Sequence, residues 1–253
     1  MPNVDLNCDM GESSHLYPYT IDKDLALLKY MSSVNLACGF HAGDAHTMHQ
    51  LVKAAVKMKI AIGAHPGFED KENFGRENQQ LSPEKIYDIV LYQLGALQAF
   101  LKVYRAKMHH VKPHGALYNM AAKEKPVADA ICNAVLDFDD SLILYGLSGS
   151  EMIRSAGKLG LQTASEVFAD RTYQADGLLT PRSATNALIE DGHEAGRQVV
   201  QMVERGTVAA TDGTTVPVKA ETICIHGDAD NALSFAETIY EILRQHHVSI
   251  QQP

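Results

Sequence analysis

The sequence contains no tryptophan and only four cysteines, which form no CxxC pair. Because they are far apart along the chain, Cys8, Cys38, Cys132 and Cys224 predict reduced thiols in a cytoplasmic protein. Folding needs neither a disulfide nor a structural metal, because a chain of 253 residues buries roughly three quarters of the surface that its unfolded form exposes. The hydrophobic content of 45% is typical of a globular protein and excludes a disordered chain.

Long apolar runs, basic clusters and phosphate-loop motifs are also absent from the sequence. No stretch approaches the ~18 apolar residues of a transmembrane helix, and the first residues have neither the basic start nor the apolar stretch of a signal peptide. With 22 Lys and Arg against 31 Asp and Glu, the net charge of −9 lacks the electrostatic footprint of nucleic-acid or anionic-membrane binders. The absence of G-x-x-x-x-G-K-[ST] excludes nucleotide binding by a P-loop.

Short apolar segments alternate with amphipathic helical patterns along the whole chain. Helix starts are indicated by Asp44 and by Ser82 followed by Pro83, and helices are predicted over 83–106 and 231–246. The predicted strands cover 4–8, 34–38, 60–64, 108–112, 142–145, 161–166 and 222–226. Seven β-then-α units predict an α/β protein with a parallel sheet, either an open doubly wound sheet or a closed barrel. A hairpin is predicted over 208–218, and we expect one domain over residues 1–253.

Polar side chains follow almost every predicted strand on its carboxyl side. Because ligand sites of parallel α/β folds lie beyond the carboxyl ends of the strands, these clusters are expected to meet at one mouth. Four histidines stand out because they all follow strands, whereas N-capping is an alternative role for Asp44 and Asp228. The polar residues in question are Asn7, Asp9, Glu12, His41, Asp44, His65, Arg76, Lys112, His114, Tyr118, Glu166, Asp170, Arg171, His226 and Asp228.

These clusters make the sequence similar to a known family. Residues 5–12, 37–44, 63–67, 74–76, 111–119, 166–171 with Asp176-Gly177, and 224–228 resemble, in order and from end to end, the LamB/YcsF family. One departure is Ala45-His46, because the family pattern usually continues after Asp44 with proline. This difference lies at a helix start and outside the predicted site.

The resemblance implies a seven-stranded (β/α) barrel of the glycoside hydrolase and deacetylase type. It also implies an ATP-dependent hydrolase that opens the cyclic amide of 5-oxo-L-proline to give L-glutamate, with ATP as co-substrate. The implied partners are the B and C subunits of a 5-oxoprolinase complex. Opening an unstrained lactam needs an energy source, and phosphorylation of its carbonyl oxygen would supply a leaving group and an electrophilic carbon.

Such a reaction needs cations for anionic groups, a general base for water and donors for a developing oxyanion. Lys112, Arg76 and Arg171 are candidate cations, and Asp9, Glu166 or a histidine is the candidate base. Candidate oxyanion donors are Lys112, His114 and His226. We therefore assign catalytic roles to Asp9, Lys112, His114 and Glu166. The predicted substrate-binding residues are Asn7, His41, His65, Arg76, Arg171, His226 and Asp228.

Two other interpretations stay open on the sequence. One is a metal-dependent amidohydrolase or deacetylase that acts alone, and the other is a non-catalytic subunit that supplies only substrate affinity. A metal site would need histidines from different strands, such as His41 with His65 or His226, and the sequence leaves a divalent metal undecided. It also leaves undecided which subunit binds ATP.

Overall fold

The computed structural model describes residues 2–226 and 231–253. Its strands are β1 (Asn3–Met10), β2 (Ser33–Ala37), β3 (Ala61–His65), β4 (His110–Val111), β5 (Ile143–Leu147), β6 (Gln162–Phe168), β7 (Thr207–Ala209), β8 (Thr215–Pro217), β9 (Thr222–His226) and β10 (Ser249–Ile250). Strands β1 to β6 pair in parallel in chain order, and β9 pairs with both β6 and β1, which closes the ring. The closed seven-stranded barrel is thus confirmed, and the open sheet is excluded.

Helices on the outside of the barrel cover the strands. They are α1 (Ile21–Leu27), α2 (Ala45–Met58), α3 (Pro83–Val103), α4 (Gly115–Ala121), α5 (Lys125–Phe138), α6 (Glu151–Leu159), α7 (Gly192–Arg205) and α8 (Ala232–Gln245). Two predicted caps are confirmed: the Asp44 side chain accepts from the backbone N–H groups of His46 and Thr47, and the Ser82 side chain accepts from that of Lys85. The four cysteines are free and buried.

The strand and hairpin predictions agree with the structure apart from their bounds. Strand β4 is shorter than predicted, although its ladder continues with bonds from His109 N to Ile62 O and from Lys112 N to Ala64 O. The predicted hairpin forms between β7 and β8. The two-residue strand β10 pairs in parallel with β1 outside the ring. It was not predicted, because two residues are too few to show the alternating hydrophobic pattern of a strand.

Helix α3 corrects the expectation that no segment is long and apolar enough for a membrane span. It has 21 residues and satisfies that test by length and composition alone. The sequence shows no uninterrupted apolar run there, because Asp88, Gln93 and Gln98 separate the apolar residues without making the helix polar. Its buried residues include Ile86, Val90, Leu94 and Leu97, and it packs against α2, α5 and β3, as an amphipathic helix on the outside of a barrel does.

The inside of the barrel is polar, and this follows from the two-residue period of β1. Successive side chains of a strand point to opposite faces, so Asp5, Asn7 and Asp9 share one face while Leu6 and Cys8 lie on the other. Hydrogen bonds confirm that the first set faces inward, because Asp5 Oδ2 accepts from Ser33 and Thr222, and Asn7 Oδ1 accepts from Asn35. The apolar core therefore lies between the barrel and its helices, and the interior is filled by layers of hydrogen-bonded polar side chains.

Candidate functional site

A cavity of about 530 Å³ opens at the carboxyl ends of the barrel strands. Its apolar wall is formed by Leu147, Phe168, Leu178 and Leu179. The ionisable side chains that line it come from the ends of several strands and from the segments that follow them, and most of them were predicted for the mouth; they are Asp9, Glu12, His65, Arg76, Glu77, Lys112, His114, Lys123, Arg171, Arg182 and His226. The volume falls within the range of about 300–1,000 Å³ that is usual for small-molecule sites.

Lys112 forms the centre of the cavity floor. Its Nζ lies 2.9 Å from Asp9 Oδ1, 2.9 Å from Glu166 Oε1, 3.3 Å from Asn7 Oδ1 and 3.0 Å from Cys224 Sγ. Burial would favour the neutral amine, but the neighbouring Asp9, Cys224 and Glu166 raise the pKa of Lys112 well above its usual value. The floor therefore carries a fixed positive charge between two carboxylates.

Glu166, Asn7 and His41 lie beneath the cavity surface and do not line it. All three are fully buried. Glu166 accepts hydrogen bonds from Tyr118 Oη at 2.7 Å and from Asn7 Nδ2 at 3.1 Å, in addition to its contact with Lys112. The sequence predicted all three at strand ends, but Asn7 lies inside β1, which continues to Met10, and the sequence could not tell which residues reach the cavity.

Glu12 gathers three histidines around one carboxylate oxygen. Glu12 Oε1 lies 2.8 Å from His41 Nε2, 2.9 Å from His114 Nδ1 and 3.4 Å from His65 Nε2. The rings of His41 and His114 stack with centroids 3.7 Å apart. His65 Nε2 also lies 3.4 Å from Asp9 Oδ2, so the Glu12 group is continuous with the floor around Lys112.

Gly11 brings Glu12 into this position. Its φ of +74° lies in the left-handed region that glycine adopts without strain, and the chain turns there directly after β1. The Gly11 N–H donates to Asp24 Oδ2 at 2.8 Å, which ties the turn to α1. The turn directs the Glu12 side chain to the histidines of the next strands.

The charges of the two carboxylates depend on their cationic neighbours. Burial alone would raise the pKa of Asp9, but His65 and Lys112 hold it well below its usual value. For His65, burial opposes the charged form, yet Asp9 and Glu12 raise its pKa to about 9. Burial and the nearby His114 lower the pKa of His41 to about 3. At neutral pH the site thus holds ionised Asp9, ammonium Lys112, imidazolium His65 and neutral His41.

His226 and Asp170 form a carboxylate–imidazole pair at the edge of the cavity. His226 Nδ1 lies 2.7 Å from Asp170 Oδ2, and His226 Nε2 lies 4.0 Å from Asp9 Oδ2. Burial would raise the pKa of Asp170, but His226 lowers it, so the carboxylate is ionised. Because Asp170 accepts the Nδ1 proton, the lone pair of a neutral His226 is on Nε2, and this pair has the geometry of an oriented general base.

Guanidinium groups line the cavity near residues 178–183, which also form part of its surface. Arg171 is held by hydrogen bonds from Nη2 to Thr180 O at 2.6 Å and from Nε to Ala187 O at 3.3 Å. Burial, together with Arg182, lowers its pKa to about 10, so it remains a cation at neutral pH. Arg76 donates to Tyr17 Oη and also lines the cavity. The predicted Asp228 lies outside the described residues.

Several residues of the site were not selected from the sequence. Glu12, Asp170 and Tyr118 follow predicted strands but had no predicted role, and no sequence pattern marks Arg182. The signal for Glu12 was its position three residues after Asp9, within the same cluster. His110, which the sequence did not mark as a site residue, lies inside the barrel, where Nε2 contacts Asn35 Oδ1 at 2.7 Å and the ring stacks on Tyr145.

Comparisons with known proteins agree on one family. A family model described as the LamB/YcsF family matches residues 4–253. The 5-oxoprolinase A subunit of Brevibacillus brevis is 54% identical over 243 residues, covering 96% of this chain and 95% of the relative. That of Shouchella clausii is 53% identical, covering 99% of this chain and 98% of the relative. The crystal structure of a lactam utilization protein from Thermus thermophilus is 44% identical, with a TM-score of 0.90, and covers 99% of this chain and all of that one.

Proposed function

We propose that this chain, which belongs to the LamB/YcsF family, is the A subunit of a 5-oxoprolinase and provides the site at which the lactam is opened. With the B and C subunits as partners it would convert 5-oxo-L-proline, ATP and two waters to L-glutamate, ADP and phosphate. The observation that carries the proposal is the arrangement of charges in the cavity, which has an ammonium between two carboxylates on its floor and a carboxylate–imidazole pair at its edge. The chain that forms this cavity is about half identical to proteins named as the A subunit of 5-oxoprolinase. We treat residues 1–253 as one barrel domain.

The first proposed step transfers the γ-phosphoryl group of ATP to the lactam carbonyl oxygen and releases ADP. Water then adds to the activated carbon, and the C–N bond breaks with a proton delivered to the departing nitrogen. The resulting acyl phosphate reacts with a second water to give glutamate and phosphate. Each water must lose a proton, so the reaction needs a base close to the lactam carbon.

His226 is the proposed general base. The Asp170 carboxylate holds Nδ1–H, which leaves the Nε2 lone pair for a water in the cavity, and oriented proton transfer of this kind contributes typically 10²–10⁴-fold. Asp9 lies 4.0 Å from His226 Nε2 and stays ionised, so it stabilises the imidazolium that forms. His226, predicted from the sequence to bind substrate, thereby acquires a chemical role.

Lys112 and Glu166 act together beneath the lactam. Lys112 supplies positive potential to the oxyanion and keeps Asp9 ionised, and Glu166 fixes Lys112 through a 2.9 Å contact. Because Glu166 is fully buried, we propose that it is a positioning residue and that it does not take a proton from water. Asn7 supports the same ammonium from below at 3.3 Å.

The 5-oxoproline carboxylate requires a cation at a fixed distance from the lactam carbonyl. Arg171, with Arg76 and Arg182, lines the cavity, and guanidinium groups suit bidentate binding of carboxylates. His65 and His114 line another part of the same surface, so the ring of a small lactam would lie between the guanidinium groups and the imidazoles. Specificity for a lactam that carries a carboxylate follows from this arrangement.

ATP is assigned to the complex and to no particular subunit, since the sequence carries no P-loop motif. Dependence on ATP is consistent with a cytoplasmic location. The test compares the isolated chain with the complex reassembled from the purified A, B and C subunits, with and without ATP. We expect glutamate and phosphate in equal amounts from the full complex with ATP, and little glutamate from the chain alone.

Two results would contradict the proposal. Rapid ATP-independent hydrolysis of 5-oxoproline by the isolated chain would show an amidohydrolase that acts alone. Full glutamate production by the B and C subunits without this chain would show that the lactam site lies elsewhere.

A further inference from the structure

We propose that Glu12, His65 and His114 bind one divalent transition-metal ion of the Zn²⁺ class at the surface of the cavity. The three side chains come from the turn after β1, from the end of β3 and from the loop after β4, and each lines the cavity. The inference stands on the geometry of these groups and holds whatever lactam or other substrate the cavity accepts.

Three electron-rich atoms converge at this point. Glu12 Oε1 lies 2.9 Å from His114 Nδ1 and 3.4 Å from His65 Nε2, and the two ring nitrogens are 3.0 Å apart. Atoms that bind one zinc ion at about 2.0–2.2 Å each are separated by similar distances. The group is therefore compact enough for one ion to contact all three atoms.

Backbone carbonyls set the tautomers of both histidines. His65 Nδ1 lies 2.7 Å from Lys112 O and His114 Nε2 lies 2.8 Å from Phe74 O, and a carbonyl oxygen can only accept. In the neutral form of each ring the proton is thus on the outer nitrogen. A bound ion would displace the second proton that His65 holds at neutral pH, and both inner nitrogens would then direct lone pairs at the position of the ion. Metal-binding histidines characteristically donate their other N–H to a carbonyl or carboxylate in this way.

His41 has a different place in the group. Its Nε2 contacts Glu12 Oε1 at 2.8 Å, while its Nδ1 is buried and has no partner among residues 2–226 and 231–253. A buried N–H without a partner is costly, so the ring proton belongs on Nε2, where it is donated to Glu12. His41 does not line the cavity, and we assign it the role of orienting the Glu12 ligand from behind.

The neighbouring cluster of Asp9, Cys224 and His226 is also compact, but it differs from the Glu12 group in its charge balance. There the cation is already part of the protein, because Lys112 Nζ lies 2.9 Å from Asp9 Oδ1 and 3.0 Å from Cys224 Sγ. In the part of the chain that the structure describes, the ion pairs of Glu12 are with histidines. Two imidazoles and one carboxylate, with an open side on a cavity, match catalytic zinc sites that keep one position for water or substrate.

The test is metal binding by the purified chain, with a chelator step followed by dialysis against Co²⁺ or Zn²⁺ and elemental analysis. We expect close to one ion per wild-type chain. His65→Gln, His114→Gln and Glu12→Gln should each weaken binding by more than about 100-fold, and His41→Gln by about 10–100-fold, as expected for an outer-shell partner. His246→Gln is the matched control, because His246 also contacts a glutamate, Glu204, but at the surface, and it should bind as the wild type does.

A second measurement needs no variant and therefore does not depend on their folding. In the Co²⁺-loaded wild-type protein, the proton spectrum should show two strongly shifted, slowly exchanging imidazole N–H signals, from His65 Nδ1 and His114 Nε2. Failure of the wild-type chain to retain an ion would show that the convergent lone pairs share a proton, and would overturn the proposal. Unchanged metal content in folded His65→Gln and His114→Gln would overturn it as well.

Discussion

Lys112 is a buried cation whose acceptors surround it on the floor of the cavity. The Asp9 and Glu166 carboxylates each lie 2.9 Å from Nζ, and only 2% of the Lys112 side chain is exposed. Burial of ionic groups is costly, and a pair of this kind is tolerated because each charge compensates the other. Removal of the ammonium therefore affects stability as well as chemistry.

We predict that Lys112→Met lowers the free energy of unfolding by about 3–5 kcal/mol, because two carboxylates are left uncompensated in the interior. The double variant Lys112→Met with Glu166→Gln should recover part of the loss, since one of those charges is removed. Urea unfolding followed by circular dichroism measures both effects.

The control for this prediction is Lys125→Met. Lys125 pairs with Asp129 on the exposed surface of α5, so its loss should leave the free energy of unfolding almost unchanged. Equal losses in Lys112→Met and Lys125→Met would contradict a structural role for the buried pair.

At the scale of single elements, β3 determines how the interior of the barrel is filled. A Cβ atom at Gly63 would lie 2.2 Å from the His110 ring, so the ring of β4 occupies the space that a side chain of β3 would need. His110 in turn stacks on Tyr145 of β5 at 4.0 Å. One glycine therefore allows three adjacent strands to pack their inner faces.

Gly63→Ala should destabilise the protein by about 1–3 kcal/mol, because the new methyl group overpacks the interior. The matched variant Gly95→Ala lies on the exposed side of α3 with no atom near the added Cβ, and it should stabilise by roughly 0.5–1 kcal/mol. The two thermal unfolding midpoints should move in opposite directions, and a shift of both in one direction would refute the packing account.

Helix α1 makes a contribution to stability that depends on pH. Asp24 is buried, its Oδ2 accepts from Gly11 N–H, and burial raises its pKa to about 7. Because the folded-state pKa lies above the unfolded value near 3.8, the folded protein binds this proton more tightly. The stabilisation is complete below pH 4 and is lost as the pH rises towards 7.

Asp24→Asn should remove this dependence. Relative to the wild type, the variant should gain stability between pH 4 and 7 at up to about 1.4 kcal/mol per pH unit, and the difference should be constant above that range. Unfolding at a series of pH values measures it, with the exposed Asp22→Asn as the control for net charge. An Asp24→Asn difference that does not change with pH would contradict a buried, protonated carboxyl.

For the whole molecule, periodicity and strand-end chemistry predicted a parallel α/β sheet and most of its mouth, whereas the closed barrel followed from the family resemblance. The alternation of apolar segments and helices marked all seven ring strands, because buried strands and amphipathic helices have different hydrophobic periods. The sequence could not show how deeply each side chain lies below the surface of the cavity. Asp9 lines the cavity whereas Glu166 lies below it, and this difference depends on strand stagger that no local pattern encodes.

The residues missed at the site were missed for the same reason. Glu12 is central only because histidines from the ends of three other strands or just after them converge on it, and those long-range contacts are absent from any short window of sequence. Asp170 was one polar residue among several after β6 until its contact with His226 appeared. The interior position of His110 depends likewise on Tyr145, a stacking partner from β5 that could be identified only in three dimensions.

The most direct test of the central claim is glutamate release by the reassembled complex containing His226→Asn or Asp170→Asn. Loss of the proposed base should lower kcat for 5-oxoproline-dependent glutamate formation by about 10²–10⁴-fold, with unchanged assembly and unfolding temperature. His246→Asn, which removes a surface histidine from a comparable carboxylate contact, should retain wild-type turnover. Turnover by the folded His226→Asn complex within a few-fold of wild type would contradict the claim that this cavity opens the lactam.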